Sequence, residues 1–251
     1  MHPIYIDILL SAVAFIAGTV DAIAGGGGLI TVPAILMTGM NPVMALGTIK
    51  LQGAVCEFSA SLHFLLKKQV DYRLLKKAAL FTMIGSILGT IVLHLMPIAP
   101  LRHMIPWLLL SVLVYYNWKR NYKAQAEQKE ELQPRTKAFF WMGSIIGFYN
   151  GFFGPGTGSI WAVALMKVFK LNIQKATMYA KPLNLIGNLT ALSIFITSRH
   201  IDFQIGIAMS VGSFLGGKYG AMLVMYKDEA WLKGIFLLLM ITSTAVTFYI
   251  Y

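Results

Sequence analysis

In a chain of 251 residues, 57% are hydrophobic and only 12% charged, and the mean hydropathy is +0.67. A soluble domain carries about a quarter of its residues charged, so these values exclude one and point to an integral membrane protein. The net charge of +11 does not indicate a nucleic-acid reader. The basic residues are not interleaved with aromatics on a polar surface, but fall in short clusters at 67–77, 119–137, 167–175 and 227–233, as loop positives that orient a membrane protein do.

The opening MHPIYIDILL has neither a basic leader nor a small-residue cleavage site, so the mature chain is read from residue 1. Apolar runs of about 17 to 25 residues cross ~30 Å of hydrocarbon as helices. By that rule full spans are expected at 4–24, 43–66, 74–96, 101–118, 138–153, 176–197, 203–226 and 231–251. Two shorter segments, 29–40 and 159–169, are marginal or partial crossings, the first weakened further by Pro33. The charged stretch 119–137 separates a first transmembrane repeat, 1–118, from a second, 138–251, and is read as a cytoplasmic linker. Cys56 is the single cysteine, so there is no disulfide framework within the chain.

The halves repeat. At an offset of 131, Ala45, Lys50, Phe64, Asp71, Gly85 and Gly89 meet Ala176, Lys181, Phe195, Asp202, Gly216 and Gly220. At an offset of 129, Gly18, Gly25 and Gly27 meet Gly147, Gly154 and Gly156, with Asp21 opposite Asn150. If the short segments cross, each half has an odd number of crossings and the second is inverted. The loops then hold sixteen Lys/Arg inside against Arg102 and Arg199 outside, whereas re-entrant segments give twelve against six. The positive-inside rule favours the inverted order, with both termini outside. The expected fold is therefore an all-α membrane protein of two repeated, inverted helical halves, with about eight full spans and two short or broken glycine-loop helices.

Three groups of residues stand out within the apolar spans. The glycine runs GGGGLITVP, containing Gly25, Gly26, Gly27 and Gly28, and GPGTGSIW, containing Gly154, Gly156, Thr157, Gly158 and Ser159, each end one segment and open another. Amides converging at a helix start bind anions, although the same glycines also serve tight turns and close helix packing. Lys50 and Lys181 lie several residues into matching spans, where an ammonium costs ~2.5–3.5 kcal/mol. They read either as an anion site or as lysines reaching an interface, with Lys50 paired to Glu57. Lys50, Gly53 and Glu57 match Lys181, Asn184 and Asn188, and each trio lies on one helical face.

Among the acids, Asp21 and Glu57 are candidates for proton coupling, while Asp71 and Asp202 suit helix N-caps. Lys218 either faces the cavity or reaches an interface. The five histidines have no pair three or four residues apart, so no metal site and no cofactor are expected. No hydrolase constellation or ATP-binding loop is present in the sequence.

The segment GTVDAIAGGGGLITVPAILMTGMNPVMALGTIKLQG closely resembles the TauE/SafE sulfite exporter family, also called the 4-toluenesulfonate uptake permease family. The second-half elements GFYNGFFGPGTG and ATMYAKPLN carry the same resemblance, which covers essentially the whole chain. It implies a multi-pass plasma (cell inner) membrane permease for small sulfur-containing or organic anions, dependent on the proton gradient. By position, the family's motif residues are Asp21, Gly25 to Gly28, Pro33, Thr48, Lys50, Asn150, Gly154, Gly156, Thr157, Gly158, Lys181, Pro182 and Asn184. Many members are drawn with seven or eight spans, fewer than the ten segments counted here.

The sequence is thus read as a non-enzymatic secondary transporter for a small anion, sulfite or an organosulfonate, with the lipid bilayer as its other partner. No nucleic acid is expected, and a homo-oligomer is compatible with the chain. An anion channel and a non-transporting scaffold are the other readings.

Overall fold

The computed structural model describes residues 4–118 and 136–226, and among them every regular element is helical. The helices are α1 (Ile4–Ala24), α2 (Gly28–Leu36), α3 (Pro42–Leu66), α4 (Lys76–Leu95), α5 (Ile98–Trp118), α6 (Thr136–Phe152), α7 (Thr157–Phe169), α8 (Ile173–Thr197) and α9 (Phe203–Tyr226), with a 3-10 turn at Tyr72–Leu75. Helices stand at seven of the eight expected long spans. The eighth, 231–251, lies outside the described residues, as does most of the 119–137 linker. Among the described residues three helices, α1, α4 and α9, are long and apolar enough to cross a membrane.

The short segments are helices at nearly the expected positions, but α2 has nine residues and α7 thirteen. At ~1.5 Å per residue they reach about 14 and 20 Å, so neither alone crosses the hydrocarbon.

Local chemistry fixes the helix ends. Asn41 accepts from the Val43 N–H at 2.9 Å, with Pro42 at the first helical position, and Asn172 accepts from the Lys175 N–H at 2.8 Å. Asp71 and Asp202 cap as expected, accepting from the N–H groups of Arg73 and Ile205.

Packing is interlocked between the halves. The helix α1 packs on α9, α6 packs on α4, and α3 and α8 meet at the centre, flanked by α9 and α4 respectively. Equivalent positions make equivalent contacts. A Cβ on Gly85 of α4 would sit 2.3 Å from the Ser144 carbonyl oxygen of α6, and one on Gly216 of α9 would sit 2.1 Å from the Phe15 carbonyl oxygen of α1. Both seams depend on backbone approaching backbone, the usual mode between helices in lipid. The outer faces are apolar, exposing Ile84, Leu88 and Ile91 on α4 and Ile207, Val211 and Leu215 on α9. The interior instead buries Lys50, Glu57, Asn150, Lys181 and Asn184. Such a distribution suits a lipid surround.

Candidate functional site

The helices α3 and α8 are each 25 residues long and deliver Lys50 and Lys181 to the middle of the molecule, where both are almost completely buried. Each lysine reaches into the other half. The Lys50 Nζ donates to the backbone carbonyl and to Oδ1 (2.8 Å) of Asn150, and lies 3.4 Å from Oδ1 of Asn188. The Lys181 Nζ donates to the backbone carbonyl of Asp21 and lies 3.6 Å from its Oδ2 and 3.4 Å from Oε1 of Glu57. Asn150 and Asn188 are the counterparts of Asp21 and Glu57 in the repeat. One geometry is therefore built twice, once with amides and once with carboxylates.

The two lysine sites are joined. Asn150 Nδ2 donates to Asn184 Oδ1 at 2.6 Å, and Asn184 Nδ2 donates to Glu57 Oε1 at 2.5 Å. A continuous buried line of polar groups thus runs from Lys50 through Asn150, Asn184 and Glu57 to Lys181. The same-helix pairing of Lys50 with Glu57, one alternative from the sequence, is not formed. Seven residues of helix separate the two by about 10 Å along the axis, and Glu57 pairs with Lys181 from the opposite half instead.

The glycine runs meet at this centre. Gly25 and Gly154 both adopt left-handed backbone, at φ +75° and +100°, and each makes a close approach. A Cβ on Gly25 would lie 2.2 Å from the Gly158 carbonyl carbon, and one on Gly154 would lie 2.5 Å from the Lys50 ammonium. Ser159 Oγ donates to the Ala24 carbonyl, tying the second loop to the first. The helices α2 and α7 start from these loops without a side-chain cap, so their first amides depend on backbone, water or ligand. In the first loop one amide is already taken, because Asp21 Oδ1 accepts from the Gly27 N–H at 2.8 Å.

Between the loops and α3 lies a cavity of about 30 Å³. Space for one water takes at least about 10–15 Å³, so in this conformation the cavity has room for one or two waters and for no bulky organic anion. Of the residues singled out from sequence, Asp21, Gly25, Gly27, Gly28, Lys50, Gly53, Gly154, Gly156, Asn184 and Asn188 line it. Gly26 of the first loop and Thr157, Gly158 and Ser159 of the first turn of α7 are not part of its lining. Lys181 and Glu57 sit at the far end of the polar line.

Thr48 is turned elsewhere. Its hydroxyl donates to the Met44 carbonyl at 2.8 Å and accepts from the Asp202 N–H at 3.0 Å, pinning the α8–α9 turn. Its counterpart Tyr179 holds the Asp71 N–H in the same manner, at 3.5 Å.

Lysine 218 is exposed on α9, away from the cavity. The fold brings together two histidines that sequence spacing keeps apart. The rings of His94 and His200 are 5.4 Å apart, and His94 Nε2 lies 2.9 Å from Ser198 Oγ. Among the described residues no three metal-ligating side chains cluster. Sequence reasoning does not reach Ile49, Gln52, Phe153 and Pro155, which complete the cavity wall. It also assigns Asn150 and Asn188 no lysine to hold. The repeat offset held the missing signal, since it places these amides where the acids stand and so opposite the other lysine.

Electrostatically the two lysine sites differ. Lys181 faces two carboxylates, while Lys50 faces only neutral oxygens, with no carboxylate in ion-pair range among the described residues. A buried cation without a counter-ion, next to a cavity between two helix starts, is what an anion needs.

The model of the family described as "Sulfite exporter TauE/SafE" matches residues 10–247. This chain belongs to the TauE/SafE family. Among its curated relatives is a "Probable membrane transporter protein" of Haemophilus influenzae, 38% identical over 246 residues, covering 97% of this chain and 96% of the relative. "Probable membrane transporter protein ORF9" of a Sinorhizobium species is 35% identical, covering 94% of this chain and 89% of the relative. "Probable membrane transporter protein YfcA" of Escherichia coli K12 is 33% identical, covering 99% and 91%. No solved structure matches the chain. The expected TauE/SafE resemblance is thus met, and these names describe membrane transporters, not enzymes. Several motif residues of the TauE/SafE resemblance line the cavity, whereas Thr48 ties α3 to the α8–α9 turn.

Proposed function

We infer that this membrane transporter of the TauE/SafE family carries a small anion, sulfite or a small organosulfonate, across the plasma (cell inner) membrane by alternating access. The observation that carries the reading is the Lys50 ammonium, buried at the cavity between the two glycine loops and held by neutral oxygens alone. An incoming anion supplies the counter-charge Lys50 lacks, with Asn184 and the amides at the starts of α2 and α7 as further donors.

The two halves are read as inverted. The sixteen-to-two distribution of loop Lys/Arg supports this, as does the interlocked packing of α1 on α9 and α6 on α4. In this reading each loop and its short helix carry the chain across together, and rocking of the bundles opens the central site to either side in turn. Asp21 and Glu57 are the candidates for coupling that movement to protons. The family's description names sulfite, and the tight cavity favours a compact oxyanion over an aromatic sulfonate.

The test is uptake of radiolabelled sulfite and of methanesulfonate into liposomes holding the purified protein, with and without a pH gradient. Accumulation above the equilibrium level under the gradient, abolished by Lys50→Met, is the expected result. Flux that only dissipates gradients indicates a channel, and flux indifferent to Lys50→Met removes Lys50 from the site.

A further inference from the structure

Glu57 has two unlike oxygens. Oε1 accepts from Asn184 and faces Lys181, whereas Oε2 is completely buried and has no hydrogen-bond partner. Asp21 is better provided, since Oδ1 accepts the Gly27 N–H and Oδ2 faces Lys181. The two carboxyl groups flank one ammonium, with Asp21 Oδ2 at 3.6 Å and Glu57 Oε1 at 3.4 Å from the Lys181 Nζ, and neighbouring buried carboxyls do not both hold a charge easily. The titratable and charged groups facing Glu57 are Asp21 from α1, Lys181 from α8 and Cys56 beside it on α3. The helix α9, packed on α3, brings Gly217 against Cys56 and keeps Lys218 exposed.

With both lysines protonated, counting charge over the whole buried line leaves two balanced states. With both acids ionised and no anion bound, Lys50 and Lys181 offset Asp21 and Glu57. With a monoanion at Lys50, balance returns only if one carboxyl takes a proton. While both lysines are charged, any other occupancy buries a net charge, which is costly in the middle of a membrane.

We propose that Glu57 Oε2 is the seat of a proton that binds together with a monoanion at Lys50, one proton per anion, making transport electroneutral. The O–H formed there donates to the neighbouring Asp21 carboxylate, and this gives Oε2 the partner it lacks. Asp21 stays ionised against Lys181. Asn184 and Asn150 are positioning residues that join the proton seat to the anion seat. The inference rests on Lys50 being the anion seat, and a cation other than a proton is disfavoured because the Lys181 ammonium already fills the space beside the carboxyls.

The probe is methanesulfonate, a monoanion that carries no titratable proton of its own near neutral pH. Lightly buffered purified protein with a pH-indicator dye should take up one proton per methanesulfonate bound, and Glu57→Gln should take up none. In liposomes the wild-type flux should follow a pH gradient and ignore a potassium-diffusion potential. The Glu57→Gln flux should ignore the pH gradient and follow the potential, since only the anion's charge then moves.

Wild-type binding without proton uptake overturns the proposal, as does pH-driven accumulation by Glu57→Gln. Loss of methanesulfonate binding in Glu57→Gln also overturns it, by making Glu57 part of the anion seat. If Lys50→Met binds methanesulfonate like wild type, the anion-seat reading fails instead, whatever the Glu57 result.

Discussion

Lys50 and Lys181 occupy equivalent turns of α3 and α8 and reach equivalent atoms in the opposite half, yet the first ends on the amides of Asn150 and Asn188 and the second on the carboxylates of Asp21 and Glu57. Replacing the two lysines should therefore give opposite profiles. Lys181→Met leaves two buried carboxylates without a cation and should cost about 3–5 kcal/mol. Lys50→Met leaves only amide oxygens without a donor, at about 1–3 kcal/mol. Thermal unfolding of the purified variants checks the order. In wild type, an anion at ~100 times its dissociation constant should add about 2.7 kcal/mol, and Lys50→Met should show no such gain.

Making the Lys50 site resemble the Lys181 site should silence it. Asn188→Asp puts a carboxylate about where Oδ1 now stands, 3.4 Å from the Lys50 ammonium. Thermal stability should hold or rise, because a buried cation gains a partner, while the anion-induced rise in Tm disappears. Binding of sulfite or methanesulfonate by this variant at wild-type strength would contradict the role given to the unneutralised lysine.

Glycine positions of similar backbone should differ sharply in tolerance. Gly39 and Gly154 are both left-handed, at φ +81° and +100°, but a Cβ on Gly39 meets nothing within 4 Å. Gly39→Ala should cost only the backbone penalty, roughly 1–2 kcal/mol, and leave flux intact. Gly154→Ala adds a methyl 2.5 Å from the Lys50 Nζ, so it should also displace the ammonium and abolish anion binding. Parallel flux and unfolding measurements separate the two effects.

Thr48 should behave as a structural residue. Thr48→Val removes the acceptor of the Asp202 N–H and should destabilise by about 1–3 kcal/mol without changing anion affinity. Tyr179→Phe, acting through a longer contact of 3.5 Å, should cost less. A drop in anion affinity for Thr48→Val at unchanged stability would return Thr48 to the site.

Much of this molecule is legible in its sequence. Long apolar runs set the helix positions, because hydrocarbon thickness fixes their length and Asn, Asp and Pro mark their starts. The matched lysines, acids and glycines identified the residues that converge at the centre. Pairing was less legible. The trio spacing on α3 invited a same-helix Lys50–Glu57 pair, while the actual partners lie 100 to 160 positions apart in the chain. Only packing of α3 against α8 selects them. Thr48 shows the opposite limit, since its place in a motif gave no direction to its hydroxyl, and that direction depends on where the α8–α9 turn arrives.

Because each lysine finds its partners in the opposite half, neither half can satisfy its own buried ammonium. Residues 1–118 or 136–251 produced alone would leave a cation stranded in lipid, whereas the two fragments produced together have matching sockets and should reassemble into a working unit. The peptide between them is thus a tether, and the real junction is a mutual exchange of charge.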